Sequence, residues 1–395
     1  MPKEITTFEG FIKHVIWLVF WVLLLIPLIG LPIYYFAYTV LGVNLLDVFA
    51  LATTKPEQFI QFQLHLISTE PTRSLFLWTT FPGFTFAAVF SAILMAYVER
   101  KFVAKIQLRV GPQYAGRFEG VLQNFADLFK LLFKEITVPH NADKLIFWTV
   151  PFALMAVAGA LLGLIPLSPS TYIANPSVGA IFVFAILGFS PIIVLLAGWA
   201  SNSKYPLLGG LRALHQLVAY EIPMILSILG VVVLSGTLNL IGIVNAQGGV
   251  WYIILQPIGA AVFFIAALAE LERIPFDLPE ADSELVAGWQ TEYSGMLFGT
   301  FILANYIRFY ALSALFTIFF LGGWLGPPVI PPEAWFILKT VVVMIVAMLP
   351  RAVMGRIRID VLLRTGWVKL MFLTFLNIFV AMVLVSLGVV HGGAG

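Results

Sequence analysis

Cysteine is absent from the 395-residue chain. Its absence excludes disulfides, thiol chemistry and iron–sulfur ligation by this chain. Histidine is sparse. His14, His65, His140, His215 and His391 are scattered, with no helical pairing that suggests haem or zinc, so no metal cofactor is expected on the chain. Charge is scarce as well. Charged residues make up 11% of the sequence, where soluble domains carry about a quarter. A net charge of +2, with no Lys/Arg-rich run interleaved with aromatics, argues against nucleic acid. What is plentiful is apolar surface: 61% of residues are hydrophobic and the mean hydropathy is +0.99. Such a chain cannot cover itself with polar groups in water, so lipid is its solvent.

Apolar runs of about 18 residues or more read as candidate spans. They fall at 14–40, 76–98, 145–166, 178–200, 214–236, 250–270, 295–321, 335–352 and 367–389. The fold expected is therefore all-α, a polytopic transmembrane bundle of about nine spans. The first run is too long for a signal-peptide core and lacks a small-residue cleavage site, so it reads as a retained anchor. Gly188 and Pro191 interrupt one span, which buried membrane helices tolerate. Loops 99–144, 201–213 and 351–366 carry Lys and Arg, eight of them in the first, whereas 167–177 and 237–249 carry none. That alternation is the positive-inside pattern. It puts the N-terminus and segments 99–144, 201–213, 271–294 and 353–366 inside, and segment 42–75 and the C-terminus outside. No internal repeat is evident, which counts mildly against a transporter built of two related halves.

Residues 119–136 form an amphipathic pattern too short and too polar to span. Leu122, Phe125, Leu128, Phe129, Leu132 and Phe133 fall on one face, and Gln123, Asn124, Asp127, Lys130 and Lys134 on the other. Such a helix lies in the interface. It serves either as a brace or with its apolar face bordering an opening for a lipid-soluble ligand.

Ionisable residues inside spans are costly and point to function. Glu221 lies within its span just before Pro223, whose missing N–H breaks the ladder and admits water or a partner. Arg308 is near the middle of the seventh span, Lys339 lies in the eighth, and Glu270 and Glu272 close the sixth. Residues 270–294 then hold seven carboxylates: Glu270, Glu272, Asp277, Glu280, Asp282, Glu284 and Glu292. A solvated loop has no need for the Phe, Leu and Val between these acids. Clustered carboxylates in a partly dry site repel one another, which suits proton uptake and release. Buried ion pairs that fix packing, or a docking surface for a basic partner, are the plainer readings.

The order of residues here carries a resemblance. Arg273-Ile274-Pro275-Phe276-Asp277-Leu278-Pro279-Glu280-Ala281-Asp282-Ser283-Glu284-Leu285-Val286-Ala287-Gly288, ending in Glu292-Tyr293-Ser294-Gly295, resembles the signature loop of the complex I membrane subunit beside the quinone site, the H subunit of the bacterial NADH–quinone oxidoreductases. Three further blocks agree in order: Glu99-Arg100-Lys101 through Gln107-Leu108-Arg109 to Asp127 and Lys130; Gly198-Trp199 through Asn202-Ser203-Lys204-Tyr205 to Tyr220-Glu221; and residues 351–367. The resemblance covers about 76–390 and implies an eight-span core, with 1–75 an N-terminal extension carrying one extra span. Val110 stands where the family usually has Lys, Asn124 where it has Pro, and Asp282 where it has Glu.

The resemblance implies a subunit of a proton-translocating NADH:quinone oxidoreductase that forms the quinone tunnel and couples quinone reduction to proton movement. Quinone is then the substrate. FMN and iron–sulfur clusters belong to partner subunits, and this chain holds neither metal nor flavin. Peripheral-arm quinone-site subunits, small membrane-arm subunits and lipid are the partners, in a prokaryotic plasma membrane. By match, Arg100, Arg109, Phe125, Arg273 and Phe276 fall to the quinone tunnel. Glu221, Glu270, Glu272, Glu280, Asp282, Glu284 and Glu292 fall to proton transfer or coupling, with Lys204, Arg273, Asp277 and Arg308 ordering the loop and pairing with its acids. The alternatives are a homologous component of a ferredoxin-, deazaflavin- or hydrogenase-linked complex, an independent ion transporter, or a structural anchor.

Overall fold

The computed structural model describes residues 95–388 apart from 116–119, 121, 170, 171, 173, 280 and 328–331. The spans expected at 14–40 and over most of 76–98, and segment 42–75, lie outside the described residues. Every regular element among the described residues is helical. In order these are α1 (95–106), α2 (Gln123–Phe133), α3 (Lys144–Leu164), α4 (Gly179–Leu187), α5 (Ser190–Ala200), α6 (Lys204–Ser235), α7 (Leu240–Ala246) and α8 (Tyr252–Leu255). There follow α9 (Pro257–Glu270), α10 (Asp282–Leu285), α11 (Gly295–Phe320), α12 (Pro332–Val353), α13 (Ile359–Arg364), a π-helical segment (Thr365–Leu370) and α14 (Met371–Ser386).

Six helical stretches are long and apolar enough to cross a membrane: α3, α4 with α5, α6, α11, α12, and α13 through α14. The chain is a polytopic helical membrane protein. With the shorter apolar α9, these match the seven expected spans that lie among the described residues. The span expected at 250–270 is divided. Pro257 has no N–H to donate and restricts the residue before it, so Gln256 (φ −132, ψ 60) separates α8 from α9. The segment 201–213 is not a loop: α6 begins at Lys204 and runs 32 residues.

The loops sort to two ends. At one, Asn202 donates to the Asn141 carbonyl, Thr137 bonds Ser294, and the Ile357 N–H reaches the Pro275 carbonyl. At the other, Asn239 donates to Asn175, and Lys339 donates to the carbonyls of Leu321, Gly323 and Leu325. These groupings agree with the division expected from the basic residues.

Two apolar cores fill the bundle. The larger gathers residues of α4, α6, α9, α11, α12 and α14, the smaller those of α3, α5, α6 and α11. The acidic segment enters both. Leu271, Phe276 and Leu278 are buried in the larger, and Trp289 and Tyr293 in the smaller. Its interleaved apolar residues are therefore anchors, which is why a segment so rich in carboxylates is not a solvated loop.

Candidate functional site

The acidic segment runs under α6 and α11. Backbone at Glu272 (φ 51) and Val286 (φ 66) is in the positive-φ region, which costs of order 1–3 kcal/mol each for residues with a side chain. Packing surrounds the buried Glu272, whereas Val286 is exposed. Gly209 of α6 allows the close approach: a Cβ there would sit 2.6 Å from the Trp289 nitrogen. The Trp289 indole N–H donates to Glu272 at 3.1 Å, and its ring meets Phe301 edge-on.

The acids form a line rather than a patch. Glu270 is buried and paired with the buried Arg308 at 2.6 Å. Arg308 also acts electrostatically on Glu221 and Glu272, and Asp277 acts on Glu272. Asp277 in turn bonds Arg356 at 3.1 Å. The line thus runs from Glu221 in the middle of α6, past Glu270 and Arg308, to Glu272, Asp277 and the polar end of the bundle. Burial raises the pKa of Glu272 to about 7, and Asp277 adds to the rise, while the Trp289 N–H and Arg308 oppose it. Glu221 lies against the break between α4 and α5, where a Cβ on Gly188 would come 3.0 Å from its Oε1. It also lines an apolar cavity of about 540 Å³ between α4, α5 and α6.

Pro223 leaves the Ala219 carbonyl without its usual donor. Gly366 of the π-helical segment packs closely there, since a Cβ on it would lie 2.9 Å from that oxygen. The neighbouring Tyr220 hydroxyl donates to the Leu362 carbonyl.

Two further cavities lie on the same side as the acidic segment. The outer one, about 370 Å³, is lined by Arg100, Arg109, Asn124, Asp127 and Leu128, with Glu99 and Tyr306 deeper. The inner one, about 250 Å³, is lined by Glu272, Arg273, Asp277 and Gln290. Ile302, Tyr306 and Arg351 line both, so the two share a wall. Glu99 sits at that wall, buried and ion-paired with Arg273 at 2.7 Å and with Arg351. Burial alone would raise its pKa, but the two guanidinium groups outweigh burial and hold it low.

Several residues take other places than their expected ones. Arg273 pairs with Glu99 rather than with a loop acid. Glu284 pairs with Arg212, while Lys204 is exposed at the start of α6. Glu292 is half-buried beside Tyr293, Glu280 lies outside the described residues, and Asp282 begins α10. Arg100 bonds Asp127 at 2.6 Å and Arg109 donates to Gln107. Both line the outer cavity. Phe276 does not: it is buried against Tyr220, with ring centroids 5.3 Å apart. Phe125 is half-buried on α2.

The expected apolar face of the in-plane helix is divided. Asn124 and Asp127, with Leu128 and Leu131, border the cavity, and Leu122, Phe129, Leu132 and Phe133 are exposed together with Lys130 and Lys134. In a bundle whose solvent is lipid, an outward apolar face is the stable arrangement. Glu99, Tyr306, Arg351 and Trp289 are the site residues that sequence reasoning passed over. The signal for Glu99 was its place in a charged triplet at the end of a span. Among the described residues, no group of His, Asp and Glu is placed to hold a metal ion.

A family model described as NADH dehydrogenase matches residues 80–382. The H subunit of NADH-quinone oxidoreductase from Anoxybacillus flavithermus is 44% identical over 315 residues, covering 76% of this chain and 95% of that protein. Its counterpart in a Geobacillus species is 45% identical over 315 residues, 77% of this chain and 94% of its own length. That of Bacillus thuringiensis is 47% identical over 286 residues, 71% and 85% respectively. The signature loop, the line of acids beneath it and these matches lead to one conclusion: the chain belongs to the NADH dehydrogenase family, as a member of its NADH-quinone oxidoreductase H-subunit group.

Proposed function

We propose that this chain is the membrane subunit of a proton-translocating NADH–quinone oxidoreductase that admits quinone and couples its reduction to proton movement. The observation that carries the proposal is the pair of adjoining cavities. The outer one opens beside α2, and the inner one ends on Glu272, Asp277 and Arg273 of the acidic segment. Their combined size, about 620 Å³, lies within the usual range of ligand pockets. Arg100, Arg109 and Arg273 supply donors to the carbonyl oxygens of a quinone along that route.

The line from Glu272 through Glu270 and Arg308 to Glu221 is the route by which charge change at the inner cavity reaches the middle of the bundle. Glu284 and Glu292 extend it at the polar end, and Glu280 and Asp282 are assigned to the same role by the resemblance of the loop. FMN and iron–sulfur clusters sit in partner subunits, the quinone-site subunits dock on the acidic segment, and small membrane-arm subunits flank the bundle. The basic loops and the acidic segment face the cytoplasm of a prokaryote, and residues 1–75 are an added anchor. In the assembled complex, Glu221→Gln and Glu284→Gln are expected to lower coupled quinone reduction at least several-fold, as loss of a proton-transfer group does. Wild-type rates and proton-to-electron ratios in both variants would sink the proposal.

A further inference from the structure

The wall between the two cavities is held by charge, and the two arginines in it are not equivalent. Arg273 is 12% exposed, and its guanidinium lies 3.8 Å over the Phe309 ring and 5.3 Å from the Tyr306 ring. Arg351 is 46% exposed and lines both cavities. Both bind the same oxygen of Glu99. Parting a buried ion pair ordinarily strands an uncompensated charge. Here it does not. When Arg351 leaves, Glu99 keeps Arg273, and what stays buried is a neutral pair. The departing cation moves towards the cavities, where its five N–H groups can meet ligand oxygens.

We propose that the Glu99–Arg351 ion pair is a latch on the passage between the outer and inner cavities. Arg351 swings aside to admit the quinone head group while Arg273, clamped on Phe309, holds Glu99 in place. A head group offers carbonyl acceptors to the released guanidinium, so the ligand itself replaces the broken bonds. The latch then discriminates by size: a bulkier ring needs a wider swing, and the latch is a greater obstacle to it. This inference rests on the quinone route proposed above.

The test uses the assembled complex and two quinones of equal tail, a small-ring benzoquinone and a bulkier naphthoquinone, with rates normalised to the amount of complex. Arg351→Gln is expected to raise the naphthoquinone-to-benzoquinone ratio of kcat/KM by about three- to fivefold, the effect of removing a partly exposed ion pair. Arg351→Lys keeps the charge but loses the planar guanidinium that reaches Glu99 and is expected to move the ratio the same way, about twofold. That variant decides the matter if Arg351→Gln does not assemble. Leu128→Trp narrows the outer cavity away from the latch and is expected to lower turnover of both quinones. If Leu128→Trp changes neither, the route itself fails. If it acts while the Arg351 variants leave the ratio at its wild-type value, the latch alone is overturned.

Discussion

Glu272 is a carboxylic acid placed where its charge is expensive. Its side chain is buried, Asp277 is near, and burial raises its pKa to about 7 from an ordinary value of 4.5. The folded protein therefore holds a proton there that the unfolded chain releases. Stability from this group is fully present below about pH 4.5 and is lost as pH rises through about 7. Thermal unfolding of the purified assembly should accordingly show a melting temperature that falls between about pH 5 and pH 8, and Glu272→Gln should flatten that fall. An unchanged slope in the variant would remove Glu272 as its source. The number of acids was legible in the sequence, but their partners were not. Arg273 stands one residue from Glu272 and still pairs with Glu99, 174 positions away. Sequence spacing fixes partners within a helix, where i and i+4 meet, and is silent across a tertiary fold.

At the scale of elements, helix existence was plain and helix limits were not. The seven described spans follow from apolar run length alone. The division of α8 from α9, and the extension of α6 to Lys204, depend on a proline and on charged residues that a hydropathy reading counts as loop. That α2 is amphipathic was legible, but which of its residues border a cavity was not, because that depends on the parts of α1 and α11 packed beside it. The tightest contact of α6 with the acidic segment is at Gly209, where the gap has room for a hydrogen only. A methyl group there would lie 2.6 Å from the Trp289 nitrogen and 2.7 Å from the Gly288 carbonyl carbon, backbone atoms that cannot step aside. Gly209→Ala should destabilise the protein by about 1–3 kcal/mol and expose the 286–294 region to limited proteolysis. Gly159→Ala is the matched control, since nothing lies within 4 Å of its Cβ position. Equal proteolysis of the two variants would count against this close approach.

For the whole molecule, the sorting of loops to two ends gives a topology that can be measured directly. The chain lacks cysteine, so a single introduced thiol has no background from it. Tyr114→Cys, at a residue 97% exposed, should react with an impermeant maleimide only from the cytoplasmic side, and Gly249→Cys only from the opposite side. Labelling of both from one side would overturn the proposed orientation. The grouping of loops at two ends of the described residues was legible in the sequence, because basic residues mark it without reference to packing, and the orientation they imply is what the labelling tests. The two cavities and their shared wall were the least legible, since they are made by α1, α2, the acidic segment, α11 and α12 together.

The length of α6 carries a mechanical consequence. Its 32 residues extend about 48 Å at 1.5 Å per residue, whereas the hydrocarbon layer is about 30 Å thick. The helix therefore tilts or overhangs, and the overhanging end holds Gly209 and Arg212, the points where it grips the acidic segment. A long helix pivoting in a fluid sheet, even one weakened at Pro223, turns changes of sheet thickness into displacement at its tip. Bilayer thickness thus reaches the end of α6 that holds the acidic segment: reconstitution of the assembly in lipids of graded acyl length should vary the proposed coupling of quinone turnover.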